Sequence, residues 1–148
     1  METLQGSCHC GAVSFQLALS KPVSDIVPRA CQCSFCSTYH ATYITDPKAH
    51  LCLSFNNPEE VSHYSFGHKT AEFIICKTCG THVAALSNIE GTWYGIVNAN
   101  TIQDTAFCQP IQTDFDDETM ESRLQRRKQN WISTVHFDPT PLVIANEA

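Results

Sequence analysis

Apolar and polar residues alternate along much of the chain with the period of a β-strand. Val13, Phe15, Leu17 and Leu19 are separated by Ser14, Gln16 and Ala18, so one side of this run can bury while the other meets water. Short β-rich runs follow at 41–45, 51–55, 61–66, 71–75, 82–86 and 93–97. Turn residues stand between several of them: Asn56-Asn57-Pro58, Gly67-His68-Lys69 and Glu90-Gly91-Thr92. Many short strands divided by turns predict a mainly β fold of the sandwich or barrel-like kind. Neither an internal repeat nor a low-complexity tract interrupts the pattern.

One segment departs from it. Asp116-Asp117-Glu118 opens a stretch that Arg126-Arg127-Lys128 closes, with good helix formers between, and acid first with base last complements a helix dipole. Met120, Leu124 and Trp131 recur at helical spacing and are expected to dock this helix on the sheet. Its basic cluster, Arg123, Arg126, Arg127 and Lys128, is expected to face water, as charge runs on helices commonly do.

Composition narrows the class. A length of 148 residues suits one domain, 1–148, and an apolar share of 43% suits a packed core. A net charge of −6 with nine basic residues argues against nucleic acid or an anionic membrane as the main partner. Apolar runs are strand-sized, too short for a membrane helix. Met1 to Gly6 lacks the basic start and apolar stretch of a secretory signal, so a cytoplasmic location is expected. In a reducing compartment nine cysteines point to metal or thiol chemistry rather than to disulfides.

Seven of the nine cysteines form three groups: Cys8-His9-Cys10, Cys31-Gln32-Cys33-Ser34-Phe35-Cys36, and Cys76-Lys77-Thr78-Cys79-Gly80. Cysteines two or three positions apart can turn both sulfurs toward one ion, and a glycine just after the second lets the backbone bend around it. Zinc suits thiolate-rich tetrahedral sites and needs no redox partner, while an iron–sulfur cluster is the rival occupant. The two separate pairs can combine into one Cys₄ site. The tripod Cys31, Cys33 and Cys36 can hold a second ion but is one ligand short, and an open position is what distinguishes catalytic from structural zinc. His40, four residues after Cys36, or His82, close behind the third group, would close that position in the alternative reading. Cys52 and Cys108 stand alone in apolar surroundings and are expected to pack as small hydrophobes.

These groups resemble the family of glutathione-dependent formaldehyde-activating enzyme and centromere protein V. The resemblance rests on Gly6-Ser7-Cys8-His9-Cys10-Gly11-Ala12-Val13-Ser14-Phe15, on 31–36, and on Phe73-Ile74-Ile75-Cys76-Lys77-Thr78-Cys79-Gly80-Thr81-His82. It implies a β-tent fold of antiparallel sheets stapled by two zinc ions, with a short C-terminal helix lying outside the motif. Cys8, Cys10, Cys76 and Cys79 would bind the structural ion, and Cys31, Cys33 and Cys36 the second. The family's chemistry is that of carbon–sulfur lyases acting on adducts of a thiol and formaldehyde.

The expected function is therefore zinc-dependent joining, or parting, of a small-molecule thiol and an aldehyde at the tripod, with His40 or His82 moving the proton. Glutathione carries two carboxylates. The uncharged Ser37-Thr38-Tyr39 after the tripod and the acidic balance of the chain disfavour it as the thiol. The alternative is a non-catalytic module in which both ions staple the sheet and a groove binds a protein partner.

Overall fold

The computed structural model describes residues 2–103 and 105–138, so the expected domain bounds 1–148 run past what is described. It is mainly β, with eleven strands among the described residues arranged in two sheets. The first sheet has the order β1 (Thr3–Ser7), β2 (Val13–Ala18), β5 (His50–Phe55), β11 (Thr134–Asp138). The second runs β10 (Ile111–Thr113), β3 (Arg29–Cys31), β4 (Thr42–Ile44), β9 (Thr92–Asn98), β8 (His82–Ile89), β7 (Glu72–Cys76), β6 (Val61–Tyr64).

The alternation of β2 decides how the first sheet sits. Val13, Phe15 and Leu17 are buried, and opposite them on β5 so are Leu51, Leu53 and Phe55. They pack with Leu4 on Ile74, Val83, Leu86 and Val97 of the second sheet. That sheet is covered on its other side too. Ala85 of β8 and Ile96 of β9 point away from the first sheet, into a second cluster with Cys36, Tyr43, Ala71 and Trp131. Burial on both faces explains why β8 reads as a nearly continuous apolar run rather than as an alternation. Its turn into β9 is Glu90-Gly91, both with positive φ (55° and 88°), the two-residue geometry that matches the twist of paired strands.

The sheets are antiparallel as expected except for two parallel pairings, β10 on β3 and β11 on β5. Both late strands arrive over long connections, so no hairpin fixes their direction. Two α-helices and three short 3₁₀ helices complete the described chain. The first, α1 (Ser34–Tyr39), is opened by Cys33, whose sulfur accepts the Cys36 amide at 3.3 Å, and ends where His40 turns left-handed at φ 52°. The second, α2 (Met120–Asn130), starts later than the acidic run, because Thr119 caps it by accepting the Ser122 amide at 3.1 Å. Trp131 docks as expected, but Met120 is exposed, and the residue of α2 itself that is buried is Arg127. No described helix is long and apolar enough to cross a membrane.

Candidate metal centre and active site

Two hairpin tips, one from each sheet, bring four sulfurs together. Cys8 and Cys10 lie in the turn between β1 and β2; Cys76 ends β7, and Cys79 stands in the turn before β8. Cys8 and Cys10 sulfurs are 3.8 Å apart, and Cys10 and Cys76 sulfurs 3.7 Å. A tetrahedron with metal–sulfur bonds near 2.3 Å has edges of about 3.8 Å, so these four residues fit a zinc ion. The separations are far too long for disulfides. Backbone geometry is built for the same end: Gly80, at φ 80°, folds its amide onto the Cys76 carbonyl at 2.8 Å. The Val13 amide donates to Cys8 Sγ at 3.3 Å, and the Thr81 hydroxyl lies 3.2 Å from Cys79 Sγ. Burial works against ionisation of Cys79, but the hydrogen bonds from the Thr81 side chain and from the Cys10 backbone outweigh it and bring this thiol down to about 5.

The tripod sits elsewhere, on the face of the second sheet turned away from the first. Cys31 ends β3, Cys33 caps α1 and Cys36 lies inside it; their three sulfurs are within 4.8 Å of one another. Among the described residues no fourth Cys, His, Asp or Glu ligand joins this set. Three crowded sulfurs cannot all ionise without a cation. Cys33 is brought down to about 2 because Cys31 and Cys36 hydrogen-bond to its sulfur, while the same contacts and burial push Cys36 up. A donor set of this kind fits a divalent soft ion that replaces the shared protons.

His82 is placed behind the tripod rather than on it. The Tyr43 oxygen is 3.0 Å from Cys36 Sγ and 2.7 Å from His82 Nε2, and His82 Nδ1–H donates to the Ile74 carbonyl at 3.3 Å. With Nδ1 protonated, Nε2 accepts from Tyr43, so the sequence of contacts runs Cys36–Tyr43–His82. His82 is fully buried, and that burial lowers it to about 4, leaving a neutral imidazole at neutral pH. His40 is not brought in. It is exposed and closes α1 in the left-handed conformation, so the helical turn that would have carried it onto the face of Cys36 ends one residue too soon. Tyr43 carries no motif, and only the fold reveals its place between sulfur and imidazole.

A cavity of about 140 Å³ opens beside the tripod. Phe66 and Phe73 form an aromatic wall, with Phe35 behind Phe73 at 4.5 Å. The same cavity is lined by four guanidinium groups, those of Arg29, Arg123, Arg126 and Arg127, against the single carboxylate of Asp116. Of the basic cluster of α2, Lys128 is exposed as expected, where it pairs with Glu90, but the three arginines are not a solvated face. Trp131 and Ile132 are buried, drawing the last turn of α2 onto the sheet, and that places its arginines between helix and cavity. Arg127 donates to Thr70 Oγ1 at 2.8 Å and lies over the Trp131 ring at 4.8 Å. Burial, with Arg126 and Arg123 nearby, lowers it to about 10. Glu118 holds Arg126 at 2.7 Å and Arg123 at 3.3 Å. The charge argument against glutathione, drawn from the uncharged segment after Cys36 and the acidic balance of the whole chain, loses its premise here, because the cavity itself is lined by arginines.

The two isolated cysteines are not in the core. Cys52 is half-buried on the outward side of β5, lining a polar concavity with Gln16 and Ser54. Cys108 is exposed and its thiol donates to the Ile26 carbonyl at 3.2 Å. Cys52 alternates with Leu51 and Leu53, so the period of β5 turns it outward.

Comparison with known proteins agrees with this geometry. A crystal structure of a Rhodobacter sphaeroides protein is similar, with a TM-score of 0.58 and 28% identity over 74% of this chain and 100% of its own. A family profile described as glutathione-dependent formaldehyde-activating enzyme matches residues 3–118, from β1 to the threshold of α2. The chain belongs to the family of glutathione-dependent formaldehyde-activating enzymes.

Proposed function

We propose that the protein is a zinc-dependent carbon–sulfur lyase-type enzyme that forms or cleaves the adduct of a small-molecule thiol and an aldehyde at the tripod. The observation that carries this reading is the incomplete three-sulfur set beside a cavity, while the other four sulfurs complete a tetrahedron between two hairpin tips. Zinc held by Cys31, Cys33 and Cys36 would supply a Lewis-acidic position that lowers the pKa of a thiol joining it.

The chain's own residues do the rest. Phe66 and Phe73 keep one side of the cavity apolar and limit water at the reacting carbon. Tyr43 fixes the Cys36 sulfur. As a thiolate, Cys36 can only accept, so the Tyr43 hydroxyl can turn from His82 Nε2 to the Cys36 sulfur and steady its charge. His82, held neutral by burial, positions Tyr43 without touching substrate.

The test is X-ray absorption of the zinc-loaded protein with and without small thiols, joined to an assay of adduct formation from formaldehyde. A fourth sulfur entering at one of two zinc ions, with thiol-dependent turnover, is the expected result. Two closed sites that exclude every thiol would instead favour the module that binds a protein partner.

A further inference from the structure

The cationic lining of the cavity carries more charge than the protein balances. Glu118 neutralises one of Arg123 and Arg126. Arg127 meets no carboxylate: it donates to the oxygens of Thr70 and Ser87 and lies over the Trp131 ring, and its buried Nε has no hydrogen-bond partner among the described residues. The Arg29 side chain, half-buried at the start of β3, has no hydrogen-bond or ion-pair partner among the described residues and lies close enough to Arg126 to be repelled by it. Partly desolvated guanidinium groups without acids are costly unless something anionic comes to them. Asp116 is exposed at the rim and supplies one negative charge against this surplus.

Resting on the lyase reading above, we propose that the thiol substrate is a small mercaptocarboxylic acid whose carboxylate is bound by Arg29, with Arg127 beside it, while its sulfur meets the tripod. A planar carboxylate matches the two-pronged geometry of a guanidinium, which an isolated lysine would not offer. The space beside the tripod, about 140 Å³ and open to solvent on one side, has room for a thiol acid of roughly six heavy atoms. Arg29 lies within the stretch matched by the family profile, and Arg126 and Arg127 stand on α2, beyond it.

The probes are 3-mercaptopropionate and its neutral isostere 3-mercaptopropionamide, titrated calorimetrically into the metal-loaded protein, with sulfur entry followed by X-ray absorption. The acid should bind at least about 10-fold more tightly than the amide, the range of one or two charge-assisted hydrogen bonds. Propionate, which has no thiol, should compete with the acid. Arg29→Gln should bring the two thiols within about two-fold of each other by weakening only the acid. Equal binding of acid and amide by the unaltered protein, or an undiminished preference in Arg29→Gln, would overturn the proposal. The wild-type comparison decides the matter even if the variant fails to fold. Entry of both thiols without preference defeats this inference alone, whereas failure of every thiol to enter defeats the lyase reading with it.

Discussion

Replacing one cysteine in each set should have opposite consequences, and the structure gives the reason. Cys10 and Cys76 are 66 positions apart, and their site joins a hairpin tip of one sheet to a hairpin tip of the other. If a metal clip is treated like a disulfide, closing a loop of that length restricts the unfolded chain by about 4 kcal/mol, and closing the short loop from Cys31 to Cys36 by about 2 kcal/mol. Structural zinc adds binding free energy of about 10 kcal/mol or more in small zinc peptides, against a typical domain stability of about 5–15 kcal/mol. Cys79→Ser should therefore yield insoluble or largely unfolded protein. Cys33→Ser should stay folded, retain one zinc and lose thiol-dependent turnover. Its serine remains a competent cap for the Cys36 amide, so α1 keeps its start. A cost near 2 kcal/mol in a chain of this size lowers the melting temperature by about 4–8 °C. Thermal melting with zinc analysis on both proteins is the assay. Parallel loss of the fold would mean that the tripod is structural too, and the division of labour between the sites would fail.

Three further outcomes are expected. Tyr43→Phe leaves buried His82 Nε2 without a partner and should cost about 1–3 kcal/mol in denaturant unfolding. Acid should destabilise the protein through His82. Its folded value of about 4 lies below the ordinary 6.5, so the unfolded chain binds more protons between them and stability falls as pH drops through that window, by on the order of 3 kcal/mol, a slope that the non-titrating His82→Gln should lack. Glu118→Gln removes the acid shared by Arg123 and Arg126 and should cost about 1 kcal/mol in melting experiments, while raising affinity for anionic thiols.

The strands most legible in the sequence were those with one wet face or clear turns. The alternation of 13–19 gave β2, and Glu90-Gly91 marked the β8–β9 hairpin. The three-residue strands β3 and β10 carry too few positions to show a period, and β11 is placed by parallel pairing with β5, a contact across more than 80 positions that no local pattern announces. The two sulfur sets were legible because ligand spacing is local: C-x-C and C-x-x-C fix which sulfurs can meet one ion. The charge around the tripod was not. Arg29 is two residues before Cys31, but the other three arginines are some 90 positions later and reach the cavity only because α2 folds over it.

That separation also explains why net charge misled. A chain at −6 can build a positive cavity when its acids face water elsewhere, since a ligand senses the groups within a Debye length of about 8–10 Å more than the total. Three thiolates on one divalent ion would leave a net negative centre, which the arginines lining the cavity would offset. A neutral thiol entering there has only its sulfur to offer. One with a carboxylate also satisfies the uncompensated guanidinium groups, so binding energy gained away from the reacting atoms can hold the sulfur and the aldehyde carbon in register. On the proposed reading, selectivity for the thiol would reside in β3 and α2, and the chemistry in the tripod. Exchange of the α2 arginines between family members should change which thiol is used while leaving the metal centre in place.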